Sequence, residues 1–167
     1  VFKKNIENKL SEYILSFENS PASKVLLDKL KESQLRITLV ESITGGALSS
    51  EIVKHAGASE VLLSSNVVYD ASAKRQLLGE EITDDWIKLT EDLAIASQKQ
   101  NNADIALAVL GEAGPIPSSD NKVGEIFISI ASSNKTVNFK HNLRGNRQEI
   151  INRAVNNCIW DLLNFIK

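Results

Sequence analysis

One cysteine, Cys158, in 167 residues excludes an internal disulfide framework and is compatible with a reducing cytosol. Histidine is nearly as scarce. His55 and His141 are the only two, and neither has a partner at metal-ligand or Ser-His-Asp spacing, so both read as ordinary surface residues. No apolar run approaches the length that spans a bilayer, and no signal-peptide pattern opens the chain, so the expectation is a cytoplasmic protein without a membrane partner. Charge of one sign is lacking too. The net charge of −2 comes from interspersed acids and bases, which argues against a nucleic-acid footprint. The chain has no Gly-x-x-x-x-Gly-Lys phosphate loop, no Gly-x-Gly-x-x-Gly fingerprint and no Gly-x-Ser-x-Gly elbow. Those absences weigh against an NTPase, a dinucleotide dehydrogenase and an ordinary α/β hydrolase.

What is present suits one domain, 1–167, with its own core: 43% of residues are hydrophobic. Apolar spacings of three and four predict an amphipathic helix over Phe2 to Phe17 and a second over Ser23 to Ser33, so 1–29 reads as an N-terminal helical region packing on the core. Arg36 to Val40 reads as a buried strand, Thr44 to His55 as a helix, and Val61 to Tyr69 as a second strand. Asp70 and Gly79 bracket a short helix as cap and stop. Ile82 to Gln100 is helical in one or two pieces, with Thr83 and Thr90 as candidate starts. Ala103 to Leu110 is continuously apolar, as a strand buried on both faces must be. Val123 to Ala131 and Lys135 to His141 form a hairpin, and Arg144 to Ile166 a closing helix. The order predicts a three-layer α/β/α sandwich with a mixed, mostly parallel sheet and an antiparallel hairpin near the C-terminus.

The chemistry gathers at strand ends. Glu41-Ser42-Ile43-Thr44-Gly45-Gly46 places a serine where a buried strand hands over to a helix, with two glycines beside it. Open α/β sheets bind ligands at such junctions, and the N–H groups of a helix start favour a phosphate or a developing oxyanion. With no histidine in reach, a serine nucleophile needs another base. Lys74 lies one turn into the helix after Tyr69, so both are candidates to face the same sheet edge as Ser42. Spacing alone equally describes a solvated helix lysine and a strand-end aromatic. Gly111-Glu112-Ala113-Gly114-Pro115 follows the most apolar strand and is either a close-approach site for a ligand or a turn requiring positive φ. Arg147, at the start of the last helix, either grips an anion bidentately or solvates the helix end.

In this order and spacing, the motifs resemble the CinA C-terminal domain family, which includes nicotinamide mononucleotide deamidases. The resemblance runs from about Leu30 to Leu163. It is carried by Glu41 to Gly46, by Tyr69 through Lys74 to Leu77-Leu78-Gly79, by Gly111 to Pro115, by Val123-Gly124 and by Gly145-Asn146-Arg147. It implies hydrolysis of the nucleotide's carboxamide to nicotinic acid mononucleotide and ammonia, with no metal or cofactor. It further implies Ser42 as nucleophile, Lys74 as base and Tyr69 assisting the proton transfer. Backbone N–H groups around Thr44, Gly45 and Gly46 would support the oxyanion, and Gly111, Gly114 and Arg147 would shape the pocket and hold the phosphate. A homo-oligomer is expected, with the N-terminal helix a candidate to pack on a sister subunit.

The chain departs from the family pattern in places. Ile43 replaces a cysteine, a packing change if the residue points inward. Asp70-Ala71 stands where the family has Ser-Asn, removing an amide and adding a carboxylate, and Glu112 adds a second acid. Three readings therefore stand together: hydrolysis of nicotinamide mononucleotide, hydrolysis of a different carboxamide, and nucleotide binding without catalysis.

Overall fold

A computed structural model describes residues 20–79, 81–117 and 120–167. The helix expected over Phe2 to Phe17 lies outside the described residues. The chain runs through α1 (Ala22–Glu32), β1 (Ile37–Glu41), α2 (Ala47–Val53), a 3-10 turn (Ala58–Glu60) and β2 (Leu62–Val67). It continues through α3 (Ala71–Leu78), α4 (Trp86–Asn101), β3 (Ile105–Gly111), β4 (Glu125–Ser132), β5 (Thr136–Asn142) and α5 (Arg147–Phe165). The five strands form one sheet in the order β2-β1-β3-β4-β5. β1 pairs in parallel with β2 and β3, and β4 pairs antiparallel with β3 and β5, so β4 alone is reversed.

Period-2 alternation divides the core. Ile37, Leu39, Ile105, Leu107, Val109, Ile126, Ile128 and Ile130 face α1, α2 and α5, where they meet Leu26, Leu30, Leu48, Ile52, Ala154, Cys158 and Leu162. The opposite face offers the smaller Val40, Ala108 and Leu110 to Leu89, Leu93 and Ala94 of α4. These small side chains let one long helix lie close across the middle of the sheet. β3, central in the sheet, is buried on both faces, as its unbroken apolar run requires. Edge strand β2 is only half-buried. Among the described residues no helix is long and apolar enough to cross a membrane.

Local signals explain most boundaries. Asp70 caps α3 by accepting from the Ser72 N–H at 2.8 Å, and Gly79 ends that helix in the left-handed region. α5 starts on a capping box in which Asn146 and Glu149 satisfy each other's backbone N–H. Two expectations are corrected. α4 begins at Trp86 under an Asp85 cap, whereas Thr83 only accepts from the Asp85 N–H. Thr90 is buried inside the helix, with its hydroxyl donating to the Trp86 carbonyl at 2.5 Å. Neither histidine is an isolated surface group. His55 lies 2.8 Å from the buried Ser23 hydroxyl, and His141 2.7 Å from the carboxylate of Asp161. Burial raises the Asp161 carboxyl above the usual carboxylate range, opposed by the His141 hydrogen bond.

The chain turns to β2 on one side of β1 and returns to β3 on the other. The C-terminal ends of β1 and β3 therefore flank a topological switch point. Ser42 follows one of these strands, and Gly111 ends the other.

Candidate active site

At that switch point lies a cavity of about 490 Å³ lined by Ser42, Ile43, Tyr69, Asp70, Ala71, Lys74, Trp86, Gly111, Glu112, Ala113, Gly114, Ile116 and Arg147. Of the residues singled out from sequence, Ser42, Tyr69, Lys74, Gly111, Gly114 and Arg147 line this cavity, whereas Thr44, Gly45 and Gly46 are not among its lining residues.

The Ser42 segment is built around Glu41, which sequence reasoning placed in the motif but gave no task. Its carboxylate is fully buried. Oε2 accepts from the Thr44 hydroxyl at 2.7 Å and from the Gly46 and Leu48 N–H groups at 3.0 Å each. Oε1 accepts from the Ser49 N–H at 2.8 Å and the Ser65 hydroxyl at 3.0 Å. The start of α2 has no capping side chain, because Gly46 occupies the N-cap at φ 95°. Glu41 takes that role from the preceding strand and supplies the anion that a helix start favours. Left-handed φ at Gly45 and Gly46 also keeps 44–46 a turn, so α2 begins three residues later than expected.

This arrangement corrects the expected oxyanion support. The Gly46 N–H is committed to Glu41, and the Gly45 N–H donates to the Ser42 carbonyl at 3.1 Å. Neither is available to a ligand. The N–H groups of Ile43 and Thr44 carry no hydrogen bond to a described residue, and Ile43 directly follows the serine, the position from which a nucleophile turn donates. The Ile43 side chain points into the core, as expected for a packing replacement. The Ser42 N–H is anchored to the Val109 carbonyl of β3 at 3.1 Å, while its hydroxyl has no hydrogen-bond partner among the described residues.

Lys74 is 9% exposed, and burial lowers its ammonium below the usual lysine range, against the opposing pull of Asp70. Nζ donates to the Tyr69 carbonyl at 3.3 Å and makes no hydrogen bond to Ser42. Tyr69 thus meets Lys74 through its backbone. Its phenol, on a residue 59% exposed, accepts from Arg147 Nη2 at 2.8 Å. Arg147 Nη1 donates to the Gly114 carbonyl at 2.7 Å. One guanidinium therefore ties together the β2–α3 junction, the 111–117 loop and the start of α5. Its remaining N–H donors stay available for an anion.

Gly111 is required by space. A Cβ there would stand 2.5 Å from Ile126 Cδ1, 2.8 Å from the Glu125 carbonyl and 3.1 Å from Ile43 Cδ1, with no positive φ involved. The two acids occupy different environments. Asp70 is exposed and held ionised by the Ser72 hydroxyl and N–H, whereas Glu112 is 4% exposed. Trp86 was not singled out. It reaches the cavity from the first position of α4, braced edge-on by the Phe127 ring at 5.9 Å and 67°. No local spacing in the sequence joins it to the Tyr69–Lys74 segment.

Comparison with known proteins matches residues 19–166 to a family described as the CinA C-terminal domain. A CinA-like protein of Prochlorococcus marinus strain MIT 9515 is 34% identical over 96% of this chain, and one of Kosmotoga olearia is 33% identical over 91%. The chain spans 39% of the length of each of those two relatives. Among solved structures, a competence or damage-inducible protein from Enterobacter asburiae superposes with a TM-score of 0.82 at 26% identity, covering 87% of this chain and 96% of its own.

Proposed function

The chain belongs to the CinA C-terminal domain family, and from that premise we propose that it is a serine amidohydrolase. Its substrate is nicotinamide mononucleotide, which it converts with water to nicotinic acid mononucleotide and ammonia. The observation that carries this reading is that two groups line one cavity. Ser42 has an unengaged hydroxyl, and Lys74 is a lysine that burial drives toward its neutral form.

In the proposed reaction, neutral Lys74 Nζ takes the Ser42 hydroxyl proton as Oγ attacks the carboxamide carbon. This requires the two groups within hydrogen-bond reach, directly or through one water, so Nζ leaves the Tyr69 carbonyl when substrate binds. The oxyanion that forms accepts from the Ile43 and Thr44 N–H groups. Each well-placed donor of this kind is worth on the order of 3 kcal/mol of barrier. Lys74 returns its proton to the departing nitrogen, and ammonia leaves. Water, deprotonated by the same lysine, then hydrolyses the Ser42 ester, releasing the carboxylate and restoring the hydroxyl. Arg147, fixed by Gly114 and Tyr69, offers its remaining donors to the phosphate. We place the reaction in the cytoplasm, in a homo-oligomer, on the sequence pattern.

A second reading, nucleotide binding without turnover, is favoured by the lack of a Ser42–Lys74 hydrogen bond. Ammonia release from nicotinamide mononucleotide, lost in Ser42→Ala, supports hydrolysis. Binding without ammonia release by the folded protein supports the second reading.

A further inference from the structure

The sheet has two edges, and they are finished differently. On β5, Lys140 pairs with Glu125, Asn138 donates to Glu91 and His141 bonds Asp161, so anchored polar side chains blunt that edge. β2 reads Leu-Leu-Ser-Ser-Asn-Val and has neither a charge nor a proline. Its backbone is only half used. The Val68 N–H donates to the Glu41 carbonyl at 2.8 Å, so alternation turns the main-chain groups of Ser64 and Asn66 to β1 and those of Ser65 and Val67 outward. Two aliphatic side chains flank these outward groups. Val67 is 48% exposed, and half-buried Leu63 joins neither apolar cluster among the described residues. A cleft of about 360 Å³ beside the strand, walled in part by Asn66, Val67, Ala73, Gln76 and Leu77, has no charged residue in its lining.

We propose that β2 is the contact through which two copies of this chain pair, antiparallel across a two-fold axis at Ser65, so that the sheet continues from one copy into the other. Symmetry and charge select a second copy as the occupant. A two-fold contact sets residues near the axis against their own copies, so a charge there would face its like. This edge and its cleft carry none. In that register Leu63 of each copy stands opposite Val67 of the other, and the outward main-chain groups of Ser65 and Val67 gain partners. The pairing also closes on itself, whereas joining β2 of one copy to β5 of the next would build an open chain. The inference rests on the homo-oligomer reading, gives it a surface, and stands apart from the hydrolysis.

The test is the mass of the full chain in solution, followed by sedimentation over about 1–300 μM. A contact near the lower limit of about 1,200 Å² for stable interfaces is expected to hold in this micromolar range. The parent should reach twice the mass of one chain and stop there. Val67→Lys puts an ammonium on the open edge and should raise the dissociation constant about tenfold or more. Asn142→Lys, exposed on β5, should leave it unchanged. Amide exchange read by NMR on the parent needs no variant: the Ser65 and Val67 N–H groups should exchange fast in dilute protein and become protected as the dimer forms. A parent that stays a single chain at every concentration would overturn the interface and the homo-oligomer reading together. A dimer unmoved by Val67→Lys, weakened equally by both lysines, or formed without protection at Ser65 and Val67 would overturn the interface alone, as would a mass that grows without limit. None of these readouts uses ammonia release, so a failure of the hydrolysis reading is seen separately.

Discussion

Replacing Glu41 with glutamine changes one buried oxygen to an NH2 group, and its cost follows from the five hydrogen bonds the carboxylate accepts. The less costly orientation keeps the oxygen at the Oε2 position, where it still serves Thr44, Gly46 and Leu48. The new NH2 then faces the Ser49 N–H, donor against donor, while the Ser65 hydroxyl can rotate to accept. A stranded buried N–H costs about 1–3 kcal/mol, and each of the three retained bonds weakens by about 1 kcal/mol once it loses charge assistance. Relief of the buried charge offsets part of this, leaving a net loss of about 3 kcal/mol. For a chain of this size, about 2–4 °C accompanies each kcal/mol, so Tm should fall by about 6–12 °C in a circular dichroism melt at pH 7. The opposite amide orientation strands the Gly46 and Leu48 N–H groups and costs more. Turnover should fall as well, because the same bonds hold the turn that carries Ser42. A Tm within about 2 °C of the parent would refute the assignment of Glu41 as the cap and anchor of that turn.

Lys74→Met should abolish ammonia release yet leave Tm unchanged or higher, because it removes a charge that burial opposes; a large drop in Tm would contradict this. In the parent protein, kcat/KM should rise with pH through an apparent pKa below the ordinary lysine value of 10.5, and a flat profile across that range would argue against lysine as the base. The stability sign agrees. Between the lowered folded pKa and 10.5 the unfolded chain binds more protons, so the contribution of Lys74 to stability increases as pH rises through that window. Gly111→Ala sets a methyl against Ile126, Glu125 and Ile43, so chemical denaturation should show a loss of about 1–3 kcal/mol; no loss would mean that the strand end yields freely. Arg147→Lys cannot reproduce the fork to Gly114 and Tyr69, so KM for the nucleotide should rise more than kcat falls, and equal changes in both would place Arg147 elsewhere in the cycle.

Several parts of this structure were legible because their causes are local. The Asp70 cap, the Gly79 stop, the doubly buried Ala103 to Leu110 strand and the hairpin at Ser132 to Asn134 each depend on a few adjacent residues. The inward turn of Ile43 followed from its place at a strand–helix junction. Other parts depend on which segments fold together. Glu41 reaches donors from Thr44 to Ser65, and a buried carboxylate inside an apolar strand carries no sign of how many it will find. That is why the Gly45 and Gly46 N–H groups, plausible oxyanion donors in sequence, prove to be committed. The hydrogen bond from Arg147 to the Tyr69 phenol was not legible for a similar reason, because the two residues are 78 positions apart. Asp161, apolar by position on α5, is a polar residue buried to meet His141 across the layer.

The central claim is that Ser42 and Lys74 form an amide-cleaving pair. Its most direct measurement is enzyme-coupled detection of ammonia from nicotinamide mononucleotide, run on the parent, Ser42→Ala and Lys74→Met proteins after each is shown to be folded. Multiple turnovers by the parent and none above background by either variant are predicted. Ammonia release that survives Ser42→Ala, or its absence from the folded parent at high enzyme concentration, would contradict the account.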